Sequence, residues 1–225
     1  MADDEDAIVV SFNDSLLRKS DVDLLDGPKW LNDRLIGFCF EYFEKEQFSH
    51  SADRVSFISP EVTQFIKLAA ATELGAFLEP LNLPTKQFVF LAVNNNQSTN
   101  QAGGTHWSLL LYNRPRQEFQ HYDSNTGANK LIASELARKL QPFVRAPAGR
   151  LKFIEKDSPQ QSNGHDCGVY VVAVAEYMSK ELVEGLCIPL SDTVTSKVIE
   201  DKRLHIKEII EEIAALPEHS ASAGS

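Results

Sequence analysis

Strand-length apolar runs set between capped helical stretches predict an α+β protein whose mixed central sheet is packed by helices. Two of these runs, 105–112 and 118–122, are joined only by Asn113-Arg-Pro-Arg116. That spacing makes a hairpin, so at least one strand pair is antiparallel even though helices interleave with the strands.

The elements follow in chain order. Residues 31–47 read as a helix crowded with Leu31, Leu35, Ile36, Cys39, Phe40 and Phe43, starting near Asn32 or Asp33. Ser59 is a natural N-cap and Pro60 fits the first turn, with Val62, Phe65, Ile66 and Ala69 at helical spacing. A buried strand is expected at 87–93, then the hairpin, a helix over 130–140 and a strand over 151–155. A helix starts at Cys167, and a charged helix covers 191–216. One domain spans 8–216, between disordered ends at 1–7 and 217–225.

Composition narrows the function. The 225 residues are 43% hydrophobic, enough for a sizeable core, with a net charge of −10. That balance argues against nucleic-acid binding and favours partners with basic patches. No apolar run approaches the roughly 18 residues of a membrane span. The start is acidic and carries no signal or transit pattern. Three cysteines without close pairing suit a reducing compartment, cytosol or nucleus. Metal-ligand spacings and phosphate-binding glycine loops are missing, so no cofactor is expected.

The segment Gln160-Gln-Ser-Asn-Gly-His-Asp-Cys-Gly168 runs into the apolar stretch 169–175. It sets Cys167 at a helix start, where unpaired N–H groups and a partial positive charge favour a thiolate. A nucleophilic cysteine needs a base and a carboxylate. With a four-residue loop at 113–116, paired hairpin residues sum to 229, and His106 lies opposite Asp123. Opposed residues share a face about 5 Å apart at Cβ. Cys167 then attacks a carbonyl, His106 handles the proton, and Asp123 orients the imidazole. Gln161 and the backbone N–H of Cys167 are the oxyanion donors. Gly164 and Gly168 let the turn bend.

Each assignment has a plainer competitor. Free cysteine is usually a buried apolar residue, as expected for Cys39 and Cys187. His121 falls on the same strand face as Asp123 and rivals His106 as base. Asp123 also suits a turn. Gly103 and Gly104 lead into a strand, so close approach by a peptide fits them better than phosphate binding.

The segments Gly-Gly-Thr-His106-Trp, Tyr-Asp123-Ser and Gln-Gln161-Ser-Asn-Gly-His-Asp-Cys167-Gly, with Trp30-Leu-Asn-Asp33, resemble the Ulp/sentrin-specific cysteine proteases. The order His, Asp, Gln, Cys separates that family from papain-like enzymes proper. The resemblance implies a fold of the papain-like superfamily with the nucleophile at a helix N-terminus. It implies cleavage after the C-terminal Gly-Gly of a ubiquitin-like modifier. The stretches 14–22, 24–26, 57–67 and 77–81 favour the Nedd/Rub modifier and its conjugates as partners, for both precursor processing and deconjugation by a monomer. The Gln-Gln-x-Asn-Gly-x-Asp-Cys-Gly form points instead toward SUMO proteases. The family resemblance further implies that Trp30 and Trp107 wall a channel for the Gly-Gly tail, with Asp33, Gly103 and Gly104 beside it. Trp30 as a core aromatic, with Asn32 or Asp33 capping a helix, is the competing reading. A SUMO or ubiquitin protease, a silent adaptor and an acyltransferase are the rival functions. The polar segment 94–101 is the expected mobile substrate loop.

Overall fold

A computed structural model describes residues 6–98, 103–147, 149 and 151–216. Residues 1–5 and 217–225, and 99–101 of the expected mobile loop, lie outside the described residues.

The chain opens with an antiparallel hairpin of β1 (Ile8–Phe12) and β2 (Ser15–Arg18). Asp6 and Ala7, expected to be loose, are held by Arg18 and by the Lys19 N–H. After a short helix α1 (Lys19–Val22) comes α2 (Asp33–Tyr42), which continues through a π-turn over Phe43–Gln47. The side chain of Asn32 caps α2 by accepting from the Leu35 N–H at 3.0 Å. Strand β3 (Val55–Ile58) leads into α3 (Pro60–Leu68), capped by Ser59 as expected, and α4 (Leu74–Leu78).

The main sheet then builds through β4 (Phe88–Asn94), β5 (Trp107–Asn113), β6 (Glu118–Tyr122) and β7 (Phe153–Lys156). Helix α5 (Lys130–Leu140) lies between β6 and β7. Its order is β3-β4-β5-β6-β7, antiparallel in the middle and parallel at both edges. This is the expected mixed sheet. Helix α6 (Cys167–Ser179), the short α7 (Leu190–Thr193) and α8 (Ser196–Ala214) complete the fold. The single helix expected over 191–216 is broken because Thr195 takes an extended conformation and caps α8.

Alternate strand residues face two cores. One face, with Phe90, Leu109 and Leu111, packs on α2, α6, α8 and the β1-β2 hairpin. The other, with Leu91, Leu110 and Tyr112, packs on α3, α4 and α5. Every residue of α6 is buried, which makes it the central helix.

The hairpin register differs from the expected one. Its loop covers 114–117, because Gln117 adopts a left-handed φ of +52° and pairs with nothing across the strands. Paired residues therefore sum to 231, and Asp123 lines up with Ser108 rather than His106. Both sums are odd, so the shift leaves His106 and Asp123 on one face. His106 sits one residue before β5 and Asp123 one residue after β6.

Candidate active site

The first residue of α6 is Cys167, buried to 2% exposure. Gly168 lets this helix end close on Leu31: a Cβ there would lie 3.0 Å from the Leu31 Cβ and 3.3 Å from the Ile36 Cδ1. Across from the thiol, His106 Nε2 meets Asp123 Oδ1 at 2.6 Å, with both side chains nearly inaccessible. The Cys167 side chain also acts on the imidazole, adding to the pull of Asp123. Burial pulls the His106 pKa down, but the bonds to Asp123 and Cys167 outweigh it and raise it to about 9. Burial works against the Asp123 charge too, yet the bonds from His106 and from the Asn129 and Asn125 N–H groups hold its pKa below the ordinary carboxylate value. The site is therefore set to hold imidazolium beside carboxylate.

His121, the other candidate base, is engaged elsewhere. His121 places Nδ1 2.7 Å from Glu155 Oε1 and Nε2 2.9 Å from Ser108 Oγ, so both nitrogens are occupied.

Gln161 is tied to Ser124, the residue after Asp123. Its Oε1 accepts from Ser124 Oγ at 2.7 Å, and its Nε2 donates to the Asn163 carbonyl at 2.6 Å, leaving the second amide hydrogen. The Trp30 indole N–H donates to the Gly164 carbonyl at 2.5 Å, and that of Trp107 donates to the Leu31 carbonyl at 3.1 Å. Trp30 is 46% exposed, so it is not a core aromatic. Asn32 is the cap of α2, while Asp33 begins that helix at the surface, bonded to the Arg34 N–H. Gly104 has a φ of +92°, and a Cβ there would fall 1.9 Å from the Asn94 side chain, so only glycine fits. Gly103 is exposed beside Asn96.

Several supporting residues escape a reading by motif. Asn129 gives its backbone N–H to Asp123 Oδ2 and its side chain to Ser108, Val93 and, at 3.4 Å, His106. Asn95 accepts from the N–H groups of Thr105 and His106, which holds both outside the β5 ladder. Gln160 donates to the Asp123 carbonyl. Gln160 lies inside the Cys167 motif without a role assigned to it, and a polar residue at a turn is the only signal that Asn95 and Asn129 offer.

A thiol at the start of a buried central helix, faced by an imidazole and carboxylate from the end of a neighbouring hairpin, defines a cysteine-type hydrolase. Residues 29–215 match the model of the Ulp1 protease family, C-terminal catalytic domain, and the chain belongs to that family. The chain is 47% identical over 210 residues to human Sentrin-specific protease 8, covering 93% of this chain and 99% of that protein. It is 38% identical to NEDD8-specific protease 1 of Arabidopsis thaliana, over 80% of this chain and 79% of the relative. The C-terminal Ulp1 protease domain solved in complex with Smt3, the yeast ortholog of SUMO, superposes with a TM-score of 0.76. At 21% identity, over 95% of this chain and 90% of that one, it shares the fold.

Proposed function

We propose that this protease cleaves after the C-terminal Gly-Gly of the NEDD8 (Nedd/Rub) modifier, processing its precursor and removing it from conjugates. The observation that carries the substrate is the 47% identity to Sentrin-specific protease 8 along nearly the whole of both chains, joined by a relative named for NEDD8.

The geometry supports a thiolate mechanism. Cys167 starts as thiolate against the His106 imidazolium, which Asp123 orients. The sulfur attacks the carbonyl carbon of the terminal glycine. The oxyanion is met by the Cys167 N–H and the free amide hydrogen of Gln161. His106 protonates the departing amine, leaving a thioester. His106 then takes a proton from water, which attacks the thioester and releases the Gly-Gly carboxylate. Trp30 and Trp107, each tied by its indole N–H, wall the approach. Residues without Cβ thread that passage, which fits a Gly-Gly tail. Asp33 and Gly103 lie beside the entrance.

The test is a panel of fluorogenic C-terminal amides of NEDD8, SUMO and ubiquitin. Cys167→Ala abolishes turnover while still binding NEDD8, and Gln161→Ala lowers kcat about 10²-fold with little change in binding. Faster turnover of SUMO or ubiquitin would replace the substrate assignment, and an active Cys167→Ala would remove the nucleophile.

A further inference from the structure

The turn that presents Cys167 is held from outside by the C-terminal helix. Arg203, on α8, donates to Asp166 Oδ1 from Nε at 3.1 Å and from Nη2 at 2.7 Å. The same guanidinium donates through Nη1 to the Leu24 carbonyl at 3.0 Å and through Nη2 to the Lys29 carbonyl at 2.7 Å. It thus joins α8, the segment before Trp30 and the residue before Cys167. The two side chains are only 11% and 13% exposed, so solvent screens their attraction weakly. Asn163 Nδ2 donates to the other carboxylate oxygen at 2.7 Å. Burial of Asp166 works against its charge, yet these bonds and the guanidinium hold its carboxyl below the ordinary value.

Asp166 is also the N-cap residue of α6. A carboxylate at that position ordinarily turns onto the free N–H groups of the first helical turn. Here it makes no cap bond. Among the described residues, no acceptor takes the N–H of Cys167, Gly168 or Val169, whereas that of Tyr170 is taken by the Asp166 carbonyl. The open donors lie at the sulfur, where the oxyanion forms. A carboxylate turned onto them would occupy them and add negative charge beside a site that must develop its own.

We propose that Arg203 is a positioning residue that holds the Asp166 carboxylate away from the start of α6, keeping the helix N–H groups free for the oxyanion at Cys167. This deepens the cysteine-protease reading and rests on Cys167 being the nucleophile. The planar fork of arginine is needed, because one group must hold Asp166 and two backbone carbonyls together.

The experiment is a mutant cycle in the full chain, assayed with the NEDD8 C-terminal amide. Arg203→Met lowers kcat about 10²-fold, the size of one lost oxyanion donor, and leaves KM little changed. Adding Asp166→Ala removes the freed carboxylate and recovers kcat about tenfold over Arg203→Met alone. Arg203→Lys falls between wild type and Arg203→Met. If Arg203 served only to hold segments together, the second substitution would bring no recovery. A double variant no faster than Arg203→Met overturns the proposal, as does a loss confined to KM. Should Arg203→Met fail to fold, Arg203→Gln, which keeps donors but no charge, enters the same cycle. Cys167→Ala is run alongside. Turnover surviving it refutes the nucleophile, whereas an inactive Cys167→Ala with no recovery in the cycle refutes only the role of Arg203.

Discussion

The charge on His106 is set by its burial and by the two side chains that face it. Burial lowers its pKa, but Asp123 and Cys167 raise it to about 9, so the ring is a cation at neutral pH. With His106 in the proposed role, loss of the imidazolium as pH rises through about 9 sets the alkaline limb of kcat/KM. Asp123→Asn takes away the nearest negative charge, so the His106 pKa falls toward the ordinary imidazole value of 6.5 and the limb moves to lower pH. Ring-proton titration by NMR and the rate profile both read this shift. An alkaline limb that stays in place in Asp123→Asn would show that Asp123 does not set the imidazole's charge. Folding stability carries the same sign: the contribution of the charged ring is whole below about 6.5 and declines as pH rises through about 9.

At the level of elements, the meeting of α6 with α2 and the segment before it sets the position of the thiol. The Leu31 Cβ is one bond from the backbone and cannot swing away, so an alanine methyl at Gly168, 3.0 Å from it, must push α6 itself. Gly168→Ala costs about 1–3 kcal/mol in overpacking. Because it displaces Cys167 from His106, kcat falls by about 10²-fold. Thermal melting and steady-state rates separate the two effects, and a variant with wild-type melting and turnover would contradict this packing. What the sequence revealed follows the range of each interaction. Caps act over three residues, so Asn32 and Ser59 marked their helices, and the alternating β6 run was legible over 118–122. The hairpin loop was displaced by one residue because the left-handed Gln117 has no local sequence signal. The odd pairing sum still kept His106 and Asp123 on one face. Arg203 was not legible at all, since nothing near it in the chain tells that it will meet Asp166. The β1-β2 hairpin escaped for a similar reason: its strands have four or five residues and are defined by the core they cover.

Across the whole molecule, that hairpin belongs to the catalytic core although the family match begins only at residue 29. Val10, Phe12 and Leu17 are all but inaccessible and lie in the same cluster as Cys39, Val169 and Ile210. The Phe12 and Phe38 rings meet edge to face at 5.8 Å, so the hairpin closes over α2, which packs directly on α6. Removing the Phe12 ring leaves a cavity that this rigid surround cannot fill. Phe12→Ala therefore costs about 3–5 kcal/mol. Against the roughly 5–15 kcal/mol typical of a folded domain, that is a large share of the total. The loss should be felt at the far end of the core as well. The only two tryptophans, Trp30 and Trp107, stand at the active site, so their fluorescence reports on that end. In urea, the fluorescence and far-ultraviolet dichroism transitions of Phe12→Ala shift together to lower denaturant, as one cooperative unit requires. A tryptophan transition that kept its wild-type midpoint while the dichroism moved would mean the hairpin is an appendage, with the site folding independently of it.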